Sequence, residues 1–199
     1  MLLVIDGNNV AWAGFHSLRR AMEPETHAEH VRCALLGLTQ SVLGMVVRAG
    51  EPPPEPGNPH PPQHPITRLV VVFDEGRPLR RRSIYPPYQT GRESNPSFME
   101  FEPVVLEGIA AFIEGFRAAP ATILRGVNTE ADDLVAACIL TDGVADRVRI
   151  ASTDRDFMQL VDERLSIYSP VKRVVIDAAN FAEHASPKLT DGTPVAFPR

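Results

Sequence analysis

The sequence has few residues of several kinds, and each shortage narrows the class of protein. Its two cysteines, Cys33 and Cys138, have no CxxC spacing and are expected to be buried thiols, which favours a reducing cytoplasm. No apolar run approaches the roughly 20 residues that a membrane span needs, and the opening MLLVI meets Asp6 too early for a signal peptide. Neither GxGxxG nor GxxxxGK(S/T) occurs, so a dinucleotide or P-loop site has no support.

Lysine is also scarce, so nearly all the positive charge is arginine. The chain has two lysines, and its net charge of −5 argues weakly against a nucleic-acid binder. The segment 77–92, however, holds five arginines and no acid, together with Tyr85 and Tyr88. Such a run is often only a solvated face, but guanidinium groups beside aromatic rings suit phosphates and stacked bases. We therefore predict nucleic-acid contact through this segment, at Arg80, Arg81, Arg82, Tyr88 and Arg92.

Short apolar runs alternate with helical patterns along the 199 residues, which is enough chain for one full core. Strands are predicted at 2–5 (with a turn after it at Asp6 and Gly7), 69–73, 122–125 and 148–152, and helices at 28–48, 104–117 and 129–141, with a further helix after residue 156. Residues 165–177 fit either a hairpin or two additions to the sheet. Residues 51–65 contain eight prolines and are expected to form an extended surface loop. This order predicts an α/β fold with a mostly parallel sheet covered on both faces.

Acidic residues stand where the predicted strands end. One such acid is commonly a turn residue or a helix cap, and Thr129 with Asp132 fits a capping pattern. Four strand ends carrying acids are less readily explained this way, because the carboxyl ends of parallel strands converge on one crevice. The residues expected there are Asp6, Asp74, Glu130, Asp132, Asp133, Asp154 and Asp156.

Seven carboxylates in one crevice would repel one another strongly, which implies that cations neutralise them. Oxygen ligands without nearby histidine or cysteine select Mg²⁺ or Mn²⁺. Two such ions about 4 Å apart stabilise the attacking and leaving oxygens of phosphodiester hydrolysis. The acids are therefore predicted to be catalytic metal ligands that hold two ions.

Four segments in this order resemble the 5′-nuclease family: LLVIDGNN, VVVFDEGRPLRRRSIYPPYQTGR, GVNTEADD and IASTDRDFMQLV. That family includes the 5′–3′ exonuclease domain of bacterial DNA polymerase I, phage 5′–3′ exonucleases and flap endonucleases. The resemblance covers roughly residues 2–180 and implies a PIN-like, three-layer α/β domain over 1–180. It also implies that the seven acids bind two divalent ions, and that residues 80–117 form an arch or gateway for a single-stranded 5′ end.

The sequence departs from the family pattern at three places. Gln89 stands where the resemblance expects a lysine that contacts phosphate, and Ala13 stands where it expects an arginine. The tail over 181–199 contains no helix–hairpin–helix clamp of the kind that grips duplex DNA in the family. Gln89 is nevertheless included among the expected nucleic-acid contacts, by its position in the family frame.

The function predicted from these features is a metal-dependent 5′–3′ exonuclease or flap endonuclease acting on the 5′ ends of DNA or an RNA primer. Expected partners are DNA with a single-stranded 5′ end or flap, and a separate clamp-bearing polypeptide or a DNA polymerase for duplex binding. The expected location is the cytoplasm of a bacterium, or of a host in which a phage gene is expressed. Two alternatives stay open: a non-catalytic nucleic-acid- or replisome-binding module of the same fold, and a PIN-like ribonuclease.

Overall fold

The computed structural model describes residues 1–48, 64–141, 143 and 145–185, without the side chains of residues 92, 93 and 185. The predicted loop over 51–65 therefore lies outside the described residues up to residue 63, and the tail over 181–199 lies outside them from residue 186. The predictions made for these two segments are untested.

In the described part of the chain, six strands form a single sheet in the order β3-β2-β1-β4-β5-β6. Strands β1 to β5 run parallel, and β6 pairs antiparallel with β5. The mostly parallel sheet is thus confirmed, and residues 165–177 form both a hairpin and two additions to the sheet. The strands are β1 Leu2–Asp6, β2 Arg68–Glu75, β3 Thr122–Val127, β4 Val148–Ala151, β5 Leu165–Ser169 and β6 Val174–Ile176.

Helices cover both faces of this sheet, which completes the three layers. On β1, Leu3 and Ile5 face a core shared with α1, α2 and α5, while Leu2 and Val4 face the core beneath α6. A strand buried on both faces has to be apolar throughout, which is why LLVI is continuous. The helices are α1 Gly7–Met22, α2 His27–Val47, α3 Leu79–Ile84, α4 Thr90–Glu93, α5 Pro96–Gly115, α6 Ala131–Thr141 and α7 Phe181–Ala185. Two 3₁₀ helices cover Phe116–Ala118 and Asp156–Leu160.

The chain passes from β1 into α1 without the turn predicted at Asp6 and Gly7. The Asp6 side chain caps α1 by accepting a hydrogen bond from the Asn9 backbone N–H at 3.2 Å. Residue 7 has to be glycine here, because a Cβ atom would lie 2.3 Å from the ring of Phe73. The first acid of the predicted site is therefore held at a strand end and at a helix start.

Among the described residues, one helix, α2, is long and apolar enough by length and composition to cross a membrane. The expectation that no segment would approach this length is thus wrong by that criterion, because Thr39 and Gln40 interrupt the run without making it polar on average. In the fold, α2 packs its Cys33, Leu38 and Val42 side chains into the core with α1 and α5. The core helix of a water-soluble protein meets the same criterion.

Helix α5 begins earlier than the predicted residue 104, because the helix accommodates Pro103 and is capped by Asn95. The Asn95 side chain accepts hydrogen bonds from the backbone N–H groups of Ser97 and Phe98. The segment expected to form a gateway contains the two short helices α3 and α4, joined by residues 85–89, and α5, which has one face buried in the core. The helix predicted after residue 156 is a single short 3₁₀ helix.

Candidate active site

The carboxyl edge of the sheet carries an acid-lined crevice with a volume of about 880 Å³. Asp6 ends β1, Asp74 lies at the end of β2, and Asp154 follows β4, which are three adjacent strands. Helix α6, which begins after β3, contributes Asp132 from its first turn. Six of the seven predicted acids line the crevice: Asp6, Asp74, Glu130, Asp132, Asp154 and Asp156.

The seventh predicted acid, Asp133, is not among the residues that line the crevice. Its Oδ1 accepts a hydrogen bond from Arg81 Nη2 at 2.8 Å, and its side chain is 53% exposed. Asp132 and Asp133 are consecutive on a helix and therefore point in directions about 100° apart. The sequence pattern placed them together, but the helix separates them.

The tightest group of acids comprises Asp132, Asp154 and Asp156, whose nearest carboxylate oxygens all lie within 4.8 Å of one another. Three oxygen ligands from separate carboxylates match the preference of hard divalent cations such as Mg²⁺. The residues present therefore fit a divalent metal ion at this point of the crevice.

Burial alters the acid–base properties of two of these carboxyl groups. Desolvation raises the pKa of Asp6 to about 7, although hydrogen bonds from Ser152 Oγ and from the Asn9 N–H partly oppose the shift. Desolvation also raises the pKa of Asp132 to about 6, and repulsion by Asp154 adds to this effect. In both cases burial and neighbouring carboxylates make negative charge unfavourable at the centre of the site.

Glu130 is buried and is bound by three side chains from the arginine-rich segment. Tyr88 Oη donates to Glu130 Oε1 at 3.0 Å, and Gln89 Nε2 donates to the same oxygen at 2.6 Å. Arg81 forms an ion pair with Glu130 and also donates to Tyr88 Oη at 2.7 Å. Three predicted nucleic-acid contacts thus hold an acid of the crevice. Gln89 does so from a left-handed backbone conformation, with φ 58°.

The other predicted contacts of this segment differ in their surroundings. Arg80 is exposed and Arg82 is partly buried, both on α3. Arg92 lies on α4, and its side chain is outside the described part of the structure. Ala13 lines the crevice at the position where the family resemblance expects an arginine.

The sequence did not predict two groups of residues around the crevice. Trp12 and Phe98 form an aromatic wall, with ring centroids 4.9 Å apart and planes inclined by 21°. Asn8 and Asn9 accept hydrogen bonds from Asp74 at the end of β2 and from Thr153 just after β4. Asn8 and Asn9 directly follow Asp6 and Gly7 in the sequence. Two amide side chains so close to the first predicted acid could have indicated their role. The aromatic wall unites residues 86 positions apart, and only the packing of α1 beside α5 brings them together.

These features define an α/β domain with a PIN-like fold, in which acids gather at the carboxyl edge of a mostly parallel sheet. The chain belongs to the family described as 5′-3′ exonuclease, N-terminal resolvase-like domain, whose model matches residues 1–186. The family resemblance found in the sequence is thereby confirmed.

Two relatives show the range of proteins that contain this domain. The chain is 34% identical over 108 residues to a flap endonuclease Xni from Psychromonas ingrahamii, a match that covers 53% of this chain and 38% of the relative. It is 27% identical over 198 residues to DNA polymerase I from Mycobacterium tuberculosis, which covers 99% of this chain and 19% of the relative. The chain thus spans less than half the length of these relatives.

Solved structures confirm the fold. The T5 D15 protein co-crystallised with metal ions superposes with a TM-score of 0.65 at 17% identity, over 92% of this chain and 59% of the other. The T5 5′-exonuclease with bound zinc gives a TM-score of 0.62 at 18% identity, over 92% of this chain and 60% of the other. A bacteriophage T5 flap endonuclease in a pseudo-enzyme-product complex with DNA and metal ions gives 0.59 at 20% identity, over 92% of this chain and 60% of the other.

Proposed function

We propose that this chain is a divalent-metal-dependent 5′ nuclease that hydrolyses phosphodiester bonds at the 5′ ends of DNA or of an RNA primer. The observation that carries the proposal is the cluster of Asp132, Asp154 and Asp156 in a crevice that three further predicted acids line. Membership of the 5′-3′ exonuclease domain family supports it.

Two ions, Mg²⁺ or Mn²⁺, are the proposed cofactors. Asp132, Asp154 and Asp156 would hold one ion, and Asp6, Asp74 and Glu130 are the other predicted ligands on the same crevice. Glu102 also lines the crevice and is ion-paired with Arg77. Such ions supply positive charge to the attacking and leaving oxygens of the phosphodiester. Asp133 is proposed to act less directly, because it faces Arg81 outside the crevice.

The chain itself would bind and orient the nucleic acid. Arg80, which is exposed on α3, would offer its guanidinium group to a phosphate, and the contacts predicted for Arg82 and Arg92 stay predictions. The aromatic wall of Trp12 and Phe98 offers a stacking surface for a base of a single strand. Arg81, Tyr88 and Gln89 would set the position of Glu130, since all three bind its carboxylate.

The proposed substrate is DNA with a single-stranded 5′ end or flap. The names of the relatives, flap endonuclease and DNA polymerase I, support this choice, and so does the presence of DNA in the T5 flap endonuclease complex. A clamp-bearing polypeptide or a DNA polymerase as partner, and a cytoplasmic location in a bacterium or a phage host, stay predictions.

A 5′-labelled flap oligonucleotide tests the proposal. We expect cleavage with Mg²⁺ or Mn²⁺ and none with EDTA, and the ratio of DNA to all-RNA cleavage separates a deoxyribonuclease from a PIN-like ribonuclease. Absence of cleavage with either metal, on either nucleic acid, would contradict the proposal.

A second candidate is a non-catalytic nucleic-acid-binding module, which the replacement of two expected cations by Gln89 and Ala13 favours. This module would bind the same oligonucleotide with a metal-independent affinity and leave it uncut.

A further inference from the structure

Asn8 and Asn9, in the first turn of α1, each hydrogen-bond to a different neighbouring strand end. Asn8 Oδ1 accepts from the backbone N–H of Asp74 at 3.1 Å, and Asn8 Nδ2 donates to the Asp74 carbonyl at 3.4 Å. Asn9 Oδ1 accepts from both the N–H and the Oγ1–H of Thr153, each at 2.9 Å. One dipeptide thus connects the ends of β2 and β4, the two strands that flank β1.

The hydrogen bonds continue from Asn9 to the acids themselves. The Asn9 N–H donates to Asp6 Oδ1 at 3.2 Å, and Ser152 Oγ donates to Asp6 Oδ2 at 2.8 Å. Ser152 Oγ in turn accepts from the Asp154 N–H at 3.0 Å, and Asp154 Oδ1 accepts from the Asp156 N–H at 2.9 Å. Hydrogen bonds therefore hold the side chain of Asp6 and the backbone N–H groups of Asp74, Asp154 and Asp156.

Neutral amides suit this position for a physical reason. The carboxylates of the crevice repel one another, so strand ends without a connection would move apart before a cation binds. A lysine or arginine at residue 8 or 9 would hold the acids by neutralising them, and it would then compete with a metal ion. An asparagine connects backbone groups and leaves the carboxylate charge available.

We propose that Asn8 and Asn9 are positioning residues, which hold the carboxylates of Asp74 and Asp154 at a separation that binds a divalent cation. The inference rests on the metal site of the proposed function. It goes further because it assigns part of the metal affinity to two side chains that carry no charge. Residues that orient metal ligands typically contribute 10- to 100-fold to affinity.

The test is calorimetric titration of the metal-free protein with Mn²⁺, beside urea unfolding in EDTA. We expect Asn9→Ala to weaken Mn²⁺ binding by roughly 10- to 100-fold. Asn9→Gln, which keeps a neutral amide on a side chain one methylene longer, should lose less Mn²⁺ affinity than Asn9→Ala. Asn180→Ala is the matched control, because Asn180 makes similar bonds to the backbone of Asp177 and Val175, away from the crevice. It should lower stability and leave Mn²⁺ affinity unchanged.

Three results would overturn the inference. These are an unchanged Mn²⁺ affinity in Asn9→Ala, an equal loss in Asn180→Ala, and a loss in Asn9→Gln as large as that in Asn9→Ala. Should Asn9→Ala fail to fold, Asn8→Ala replaces it, because Asn8 bonds to Asp74, and an unchanged Mn²⁺ affinity in that variant would overturn the inference. A wild type that binds no Mn²⁺ would refute the metal site itself, and the first titration shows this separately from any variant.

Discussion

At the scale of single residues, the carboxylates of the crevice destabilise the folded state, because they are buried and repel one another. Asp132 illustrates this, because its pKa is raised to about 6 by desolvation and by Asp154, Glu130 and Asp156. A residue that destabilises its own fold persists where function requires it, and the function proposed here is to bind a cation.

The first prediction concerns Asp132→Asn. Removal of this charge should raise the free energy of unfolding in EDTA by about 1–2 kcal/mol at pH 8, a value reduced from the full pKa shift because the carboxylate is partly exposed to solvent. The same change should abolish cleavage. Urea unfolding and the flap assay measure the two effects, and a variant that cuts normally would show that Asp132 holds no catalytic ion.

The second prediction concerns Gln89→Lys. Gln89 reaches Glu130 through its amide, so a lysine there would bring a positive charge to the edge of the crevice, where charge develops on the phosphate. We expect the single-turnover cleavage rate to rise several-fold. Gln40→Lys, on the exposed surface of α2, adds the same charge elsewhere and should have no effect. A rate that is unchanged or lower in Gln89→Lys would show that this position does not act on phosphate.

At the scale of elements, the strands were more predictable than the helices that shape the crevice. Continuous apolar runs such as LLVI and LVVVF identified β1 and β2, because a strand buried on both faces has to be apolar. Helix α1 was missed because Asp6 and Gly7 have the composition of a turn, whereas here they cap a helix and fit beneath Phe73. The start of α5 was missed because Pro103 ordinarily excludes a helix interior.

The acids of the site could be predicted from the sequence, but their partners could not. Carboxylates at strand ends reveal themselves by position, since the topology of a parallel sheet brings those ends together. The ion pair of Arg81 with Glu130 and the stacking of Trp12 on Phe98 depend on how α3 and α5 pack beside the crevice. No local pattern records such packing.

The third prediction concerns α3, whose arginines differ in their partners. Arg81 is ion-paired with Glu130 and Asp133, whereas Arg80 is exposed and available to phosphate. Arg80→Ala should therefore reduce the salt dependence of single-strand binding by roughly one unit in the slope of log K against log salt. Fluorescence anisotropy at four salt concentrations measures the slope. The control, Arg117→Ala, removes an exposed arginine of the 3₁₀ helix after α5 and should leave the slope unchanged. Equal slopes in the wild type, Arg80→Ala and Arg117→Ala would show that α3 is a solvated face that does not contact phosphate.

At the scale of the whole molecule, the sheet gathers four distant segments of the chain, and the charge that accumulates there links stability to pH. The pKa of Asp6 is raised to about 7 and that of Asp132 to about 6, against 3.8 for an ordinary aspartate. A raised carboxyl pKa means that the folded state binds more protons than the unfolded state. The stabilisation that these bound protons give to the folded state is complete below about pH 4 and is lost as the pH rises through 6 and 7.

The fourth prediction follows from this linkage. The metal-free protein should lose stability between pH 5 and pH 8, and the loss should be smaller in Asp132→Asn, which lacks one of the two groups. Chemical unfolding in EDTA at both pH values measures the difference. Mn²⁺ at pH 8 should restore the lost stability, because a ligand that binds only the folded state stabilises it. If the free energy of unfolding fell by the same amount between pH 5 and pH 8 in the wild type and in Asp132→Asn, Asp132 would not be one of the two groups with a raised pKa.

The central claim is that one set of carboxylates both binds metal and cuts nucleic acid, and single-turnover cleavage of a 5′-labelled flap tests it most directly. The assay compares the wild type with Asp154→Asn, and with Asp162→Asn as control, since Asp162 hydrogen-bonds to the backbone at Arg164 and Leu165, just before β5 and away from the acid cluster. The account predicts Mg²⁺- or Mn²⁺-dependent cleavage by the wild type and the control, and none by Asp154→Asn. Cleavage by Asp154→Asn at the wild-type rate, or cleavage by the wild type in EDTA, would contradict it.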